Sequence, residues 1–220
     1  MFGFKKRTIA ELGESLPRAE LVNRSRILVI DDEAPSLLQD LKDYGFAVDH
    51  VSDINSQVSG SIEQCRYDLI LLDFGEVGTT FGDDEGLSLL KHIKAISPST
   101  IVFAYTSKAL RSCHADFYVL SDGNLDKDAG VQESIEKIVE GLKKSRSVSN
   151  TWKSFLHRCA IAPGTADDLR LQDAFVRAVE SPKKHSYWKT VALDAAKSDE
   201  GKAVVSAIAS KLLELGAQAI

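Results

Sequence analysis

Three carboxylates stand at the ends of two short apolar runs in this 220-residue chain. Arg26-Ile27-Leu28-Val29-Ile30 leads into Asp31-Asp32-Glu33, and Leu69-Ile70-Leu71-Leu72 leads into Asp73. Carboxylates held close together repel one another and raise each other's pKa values unless a cation is shared, and an all-oxygen donor set suits a hard ion such as Mg2+. Asp31, Asp32 and Asp73 are therefore candidate Mg2+ ligands. Taken alone, Asp-Asp-Glu also fits a solvated strand end or a helix N-cap ahead of Pro35; Asp73 is what favours the metal.

The elements that carry these residues must bring them together. Each run is leucine-rich or β-branched and free of polar residues, as a strand buried on both faces of a parallel sheet reads. Ligands of such sheets bind in the crevice beyond the carboxyl ends of the strands, where all three aspartates would meet. Strands are expected at residues 27–30, 46–51, 69–72, 101–105 and 117–120. Helices are expected at about 35–44, 54–66, 85–96 and 131–144. The first has Pro35 in its opening turn and Gly45 as its stop; Leu87, Leu90 and Ile93 share a face of the third, and Ile135, Ile138, Val139 and Leu142 stripe the last. Five strands alternating with helices give an α/β fold, a five-stranded doubly wound parallel sheet.

The polar run Ser-Arg-Ser-Val-Ser-Asn at 145–150 reads as a linker. Beyond it the strand signal disappears. Trp152, Phe155, Leu156 and Cys159 fit one helical face, Thr165 caps a second helix with Asp167 and Asp168 in its first turn, and further helices are expected around 187–196 and 201–215. Residues 151–220 thus form an all-helical C-terminal domain. Residues 1–25 form a helical extension in which Ile9, Leu12 and Leu16 share a side, packed on the same domain or against a partner or second copy.

No run of about 18 apolar residues appears, and the amino terminus lacks the apolar core of a signal peptide, so no membrane insertion and a cytoplasmic location are expected. Cys65, Cys113 and Cys159 are odd in number, widely spaced and without a CxxC pair, which points to neither a disulfide framework nor a zinc site. Residues 27–144 carry ten Lys/Arg against 21 Asp/Glu, an acidic balance that argues against nucleic acid on the sheet. The C-terminal residues 145–220 carry eleven against eight and contain no basic recognition helix after a short turn. His157 and His185 lack partners at a catalytic or metal spacing, and with no second catalytic constellation the chain is not expected to be an enzyme.

Over residues 26–144 the chain resembles the receiver domain of bacterial response regulators, whose fold is flavodoxin-like. The resemblance rests on Val29-Ile30-Asp31-Asp32-Glu33, on Leu71-Leu72-Asp73, on Thr106 after the fourth strand and on Tyr118 in the expected fifth. It implies that Asp73 accepts a phosphoryl group from a sensor histidine kinase or phosphotransfer protein. It also implies that Asp31, Asp32, Asp73 and the Gly75 carbonyl hold Mg2+, and that Thr106 offers its hydroxyl to a phosphoryl oxygen. Phosphoryl transfer asks mainly for positioning and charge neutralisation, which such a pocket supplies. The expected function is an atypical response regulator that signals through protein contacts of its helical domain to a downstream protein. A phosphorylation-independent pseudo-receiver and a DNA-binding regulator are the alternatives, and homodimerisation is left open.

Three departures qualify the resemblance. The family places a lysine directly after the fifth strand, and a strand at 117–120 puts Ser121-Asp122 there instead. Lys127 could reach back to fill the role, with Lys108 the lesser substitute, and each also fits a solvated loop charge. The loop from Phe74 to Gly86 is longer than usual and contains four glycines, so mobility is expected; its Asp83, Asp84 and Glu85 either start the next helix or add negative charge near Asp73. Finally, the short interval between Thr106 and Tyr118 leaves room for one or two turns of the fourth helix, so the surface used for dimerisation in the family is shortened.

Overall fold

The computed structural model describes residues 8–12, 16–107 and 115–218. Lys108 and Cys113 lie outside the described residues. The chain divides into two compact units at 15/16 and 145/146: a sheet unit, and a helical unit to which both the C-terminal residues and the N-terminal segment belong.

In the sheet unit β1 (Arg26–Ile30), β2 (Ala47–Val51), β3 (Leu69–Leu72), β4 (Ile101–Tyr105) and β5 (Gly123–Leu125) form one sheet of order β2-β1-β3-β4-β5. Every neighbouring pair is parallel, in the flavodoxin-like order. The α-helices among the described residues are α1 (Arg18–Arg24), α2 (Leu37–Tyr44), α3 (Ser56–Glu63), α4 (Gly86–Ile96), α5 (Ala115–Leu120) and α6 (Val131–Ser145). Alternation of side chains along each strand builds two cores. Ile27, Val29, Leu69, Leu71, Ile101 and Phe103 pack with Leu41 of α2 and Ile135, Ile138 and Leu142 of α6. On the other face Leu28, Ile30, Ile70, Leu72, Val102 and Ala104 pack with Ile62 of α3 and Leu89, Leu90 and Ile93 of α4. The uninterrupted apolar runs follow from this, since β1, β3 and β4 have no solvent face. Helix ends follow local chemistry: α2 stops at Gly45, left-handed at φ 105°, and the Asn55 side chain caps α3 by accepting from the Val58 N–H at 3.0 Å.

The fifth strand differs from expectation. Phe117-Tyr118-Val119-Leu120, rich in β-formers, lies in helix α5, with Phe117 fully buried and Val119 80 % exposed. A strand inside a two-sided parallel sheet would not leave a valine in water, whereas a short one-faced helix does. The strand is Gly123-Asn124-Leu125, paired Phe103↔Gly123 and Tyr105↔Leu125. It carries almost no β signal, but its glycine is required: a Cβ at residue 123 would lie 2.9 Å from the Phe103 ring.

The helical unit consists of α7 (Val148–Cys159), α8 (Ala166–Glu180), α9 (His185–Asp194) and α10 (Asp199–Gln218), joined by a 3-10 turn at Ile9–Leu12. Ile9 and Leu12 are buried, so the N-terminal stretch is shared: its 3-10 turn belongs to this unit and α1 to the sheet unit. The expected linker is mostly helix. α6 ends at Ser145, Ser147 caps the next helix by accepting from the Asn150 N–H, and α7 starts at Val148. Trp152, Phe155, Phe175 and Trp188 form a central aromatic cluster with ring centroids 5.2 to 5.9 Å apart. Asp168, 2 % exposed, accepts from Trp152 Nε1, the Gly164 N–H and Gln172 Nε2, which fixes the α7–α8 connection. Among the described residues no helix is long and apolar enough to cross a membrane.

Candidate functional site

The register of the sheet assembles the carboxylates. β1 and β3 pair Ile30 with Leu72, so Asp31 and Asp73 leave adjacent strands side by side. Backbone bonds continue past the strand ends and hold both: Asp31 N–H donates to the Val51 carbonyl and Asp73 N–H to the Ile30 carbonyl. Asp31 is fully buried, Asp73 is 6 % exposed and Asp32 is exposed. One oxygen from each lies within 4.8 Å of the others. Further bonds orient them. Asp31 Oδ1 accepts from the Glu33 N–H, Asp73 Oδ1 from the Phe74 N–H, and the His50 ring shares a hydrogen bond with the Asp31 carbonyl at 2.9 Å.

Lys127 completes the arrangement. Its Nζ lies 2.7 Å from Asp31 Oδ2 and 3.0 Å from Asp73 Oδ2. Burial of the ammonium favours its neutral form, but the hydrogen bonds and charges of the two aspartates outweigh this and hold the Lys127 pKa above its ordinary value. Lys127, expected to be able to reach back, thus places its ammonium beside both carboxylates. Ser121-Asp122 does not follow the fifth strand; β5 ends at Leu125, and Lys127 is the second residue beyond it. Ser121 instead ends α5, where its hydroxyl donates to the Tyr118 carbonyl. Asp122 accepts from the Val102 N–H and pairs with Lys94, which ties the start of β4 to α4.

Thr106 directly follows β4 and is buried, and Gly75 is buried two residues past Asp73. Tyr118, expected on a strand, is a half-buried residue of α5 whose phenol pKa is raised by burial and then by Asp126 and Asp73. The long loop after Asp73 is anchored at several points. Gly78 N–H donates to Asp53 at 2.9 Å, Val77 is fully buried, and Phe81 packs on the His92 ring at 4.5 Å. Gly86 N–H returns to the Phe74 carbonyl, where a Cβ on residue 86 would stand 2.6 Å from the Asp73 carbonyl oxygen. The glycine lets α4 begin against the backbone of Asp73. Asp83 and Asp84 are exposed just before that helix, which starts without a side-chain cap.

Tyr105, which the sequence pattern marks only as the last residue of a buried strand, also belongs to the site. It is 2 % exposed at the end of β4, and Lys127 Nζ lies 5.6 Å from its ring centroid. Burial pushes its phenol up to about 12; Lys127 opposes this and Asp31 and Asp73 add to it. Its place one residue before Thr106 was the available signal.

The donor set fits Mg2+: three carboxylates converge on one crevice, the ion prefers oxygen, and one ammonium leaves their summed charge negative. Asp31, Asp32 and Asp73 have the reach to hold it, with the Gly75 carbonyl close in sequence.

No family model and no curated protein matches the chain. Solved structures do resemble it. A CheY-like response regulator receiver domain protein from Methanospirillum hungatei JF-1 is 24 % identical, covering 55 % of this chain and 95 % of that one, with a TM-score of 0.46. The signal receiver domain of a putative Luxo repressor protein from Vibrio parahaemolyticus is 21 % identical over 56 % of this chain and 93 % of that one, with a TM-score of 0.45. The beryllofluoride-activated NtrC4 receiver domain dimer is 21 % identical over 55 % of this chain and 98 % of its own, with a TM-score of 0.46.

Proposed function

We propose that the sheet unit is a receiver that takes a phosphoryl group on Asp73 and passes the change to a protein partner through the helical unit. What supports this most is the placement of Lys127 Nζ between Asp31 and Asp73. An ammonium there neutralises the acceptor and can follow the transferred oxygens. In the reaction an Asp73 carboxylate oxygen attacks phosphorus, the bond from phosphorus to the donor imidazole nitrogen breaks, and that imidazole leaves. An acyl phosphate forms. Thr106, buried beside the acceptor strand, would donate its hydroxyl to a phosphoryl oxygen. Asp31, Asp32, Asp73 and the Gly75 carbonyl would hold Mg2+, which when bound neutralises charge on the phosphoryl oxygens.

The donor would be a sensor histidine kinase or a phosphotransfer protein, in the cytoplasm, and the chain would act as a signalling module rather than as an enzyme. Ser121 in place of the lysine favours the phosphorylation-independent alternative, and an ammonium 3.0 Å from Asp73 supports the phosphoacceptor reading instead. The helical unit, with the N-terminal segment, carries fourteen Lys/Arg against ten Asp/Glu, a surplus too small for a strong phosphate-binding face, so a protein partner suits it better than DNA.

Incubation with acetyl phosphate and Mg2+ should label the protein once, at a position lost in Asp73→Asn. Equal labelling of Asp73→Asn, or no labelling of the wild type by acetyl phosphate or any histidine kinase tried, would reject the assignment.

A further inference from the structure

Lys127 lies beyond the end of its strand, on a connection that by itself would not fix a four-carbon side chain carrying about 2 kcal/mol of rotamer entropy. Two aspartates draw the ammonium in. An aromatic face also lies beside it. Tyr105 and Leu125 are register partners in β4 and β5, and Lys127 stands two residues further on, in a turn closed by the Ala129 N–H donating to the Asp126 carbonyl. The Tyr105 ring lies alongside the lysine, with Nζ 5.6 Å from its centroid. The ring itself is held. It is 2 % exposed, and it belongs to the core that includes Phe103, Leu125, Ile135 and Ile138. An aliphatic residue would fill the same core volume, and only an aromatic one offers a negative face to a cation.

We propose that Tyr105 is a positioning residue for phosphoryl transfer: its ring holds the Lys127 ammonium at Asp73 through a cation–π contact. The ring, fixed at the end of β4, and the carboxylates, fixed at the ends of β1 and β3, all lie next to the ammonium, so the lysine is poised before a donor arrives. This rests on the assignment of Asp73 as phosphoacceptor, and one arm of its test does not. In this role Tyr105 acts through Lys127.

The test compares Tyr105→Phe, Tyr105→Leu, Lys127→Ala and the double variant Tyr105→Leu/Lys127→Ala. With acetyl phosphate and saturating Mg2+, Tyr105→Leu should label roughly fivefold more slowly, the size of effect of a partly desolvated ammonium on a ring face. Tyr105→Phe, which keeps the ring, should stay within about twofold of wild type on the same basis. Adding Tyr105→Leu to Lys127→Ala should change nothing further, since no cation remains to be held. A purely structural role would slow both backgrounds equally, and that result would overturn the proposal, as would a Phe variant as slow as the Leu variant.

The second arm is proton NMR of the Lys127 ε-methylene and ammonium. Their signals should lie upfield from the ring current in wild type and Tyr105→Phe, and should return toward the free-lysine position in Tyr105→Leu. Unshifted lysine signals in the wild type would overturn the contact even if no variant folded. If the wild type does not label at Asp73 but its Lys127 signals are ring-shifted, the phosphoacceptor assignment fails and the Tyr105–Lys127 contact stands.

Discussion

Replacing Lys127 by methionine keeps the unbranched apolar stem of the side chain and deletes the ammonium that lies 2.7 Å from Asp31 and 3.0 Å from Asp73. At an effective dielectric of about 20, each contact corresponds to roughly 6 kcal/mol of attraction, most of it offset by the cost of taking the charges out of water. Removing one partner forfeits the attraction and leaves the other side's desolvation cost in place. For fully buried pairs this costs about 3–5 kcal/mol. The Lys127 side chain is 25 % exposed while that of Asp31 is 1 % exposed, so water reaches the pair from the lysine side. A loss of about 2–3 kcal/mol is expected, which for a domain of this size lowers Tm by roughly 10 °C. Added Mg2+ should then stabilise Lys127→Met more than wild type, because the cation no longer competes with an ammonium for the same oxygens. A tenfold tighter Kd would appear as about 1.4 kcal/mol of extra stabilisation at saturating metal. Thermal melts of both proteins across a Mg2+ titration measure both effects. Equal melting temperatures without metal, or an equal or smaller Mg2+ shift in the variant, would refute the reasoning.

Three further outcomes probe the helical unit. Leu12, 1 % exposed, belongs to it despite its distance in sequence, so Leu12→Ala should cost about 2–3 kcal/mol in the unfolding transition reported by Trp152 and Trp188 fluorescence and leave the Mg2+ response unchanged. Asp168→Ala orphans Trp152 Nε1 and the Gly164 N–H; about 3 kcal/mol should be lost in urea unfolding, and a loss under 1 kcal/mol would show that the carboxylate is not the tie between α7 and α8. Burial raises the Cys159 thiol to about 11, against the lesser pull of Lys197, so the folded state keeps its proton where the unfolded state loses it. Stability should therefore fall by about 2–3 kcal/mol as pH rises from roughly 9 to 11, and Cys159→Ala should flatten that slope in denaturant titrations. The thiol should also resist alkylation at neutral pH until the unit unfolds.

How much was legible beforehand divides by the kind of signal. β1, β3 and β4 announce themselves because strands buried on both faces tolerate no polar residue, and their carboxyl ends then locate Asp31, Asp73 and Thr106 with no further information. β5 was misplaced for the converse reason. Gly123-Asn124-Leu125 is short and lies at the edge of the sheet, and its glycine is demanded by the Phe103 ring of a neighbouring strand, a requirement visible only once β4 and β5 are paired. A strand at 117–120 sets the lysine position at Ser121, six residues before Lys127. Similarly, the polar residues at 145–150 have the composition of a linker, and only the capping bond of Ser147 reveals a helix start.

The doubly wound class, the standing of Asp31, Asp32 and Asp73 at the ends of apolar runs and the all-helical character of the C-terminal residues are written in hydrophobic period and in residues adjacent in the chain. Tertiary structure decided what lies far apart in sequence and close in space. It brought Lys127 across to Asp31 and Asp73, laid Tyr105 beside it, and buried Ile9 and Leu12 in the helical unit. Each of these depends on strand register or long-range packing, where a one-residue shift turns a side chain to the opposite face, and local pattern carries no record of that choice.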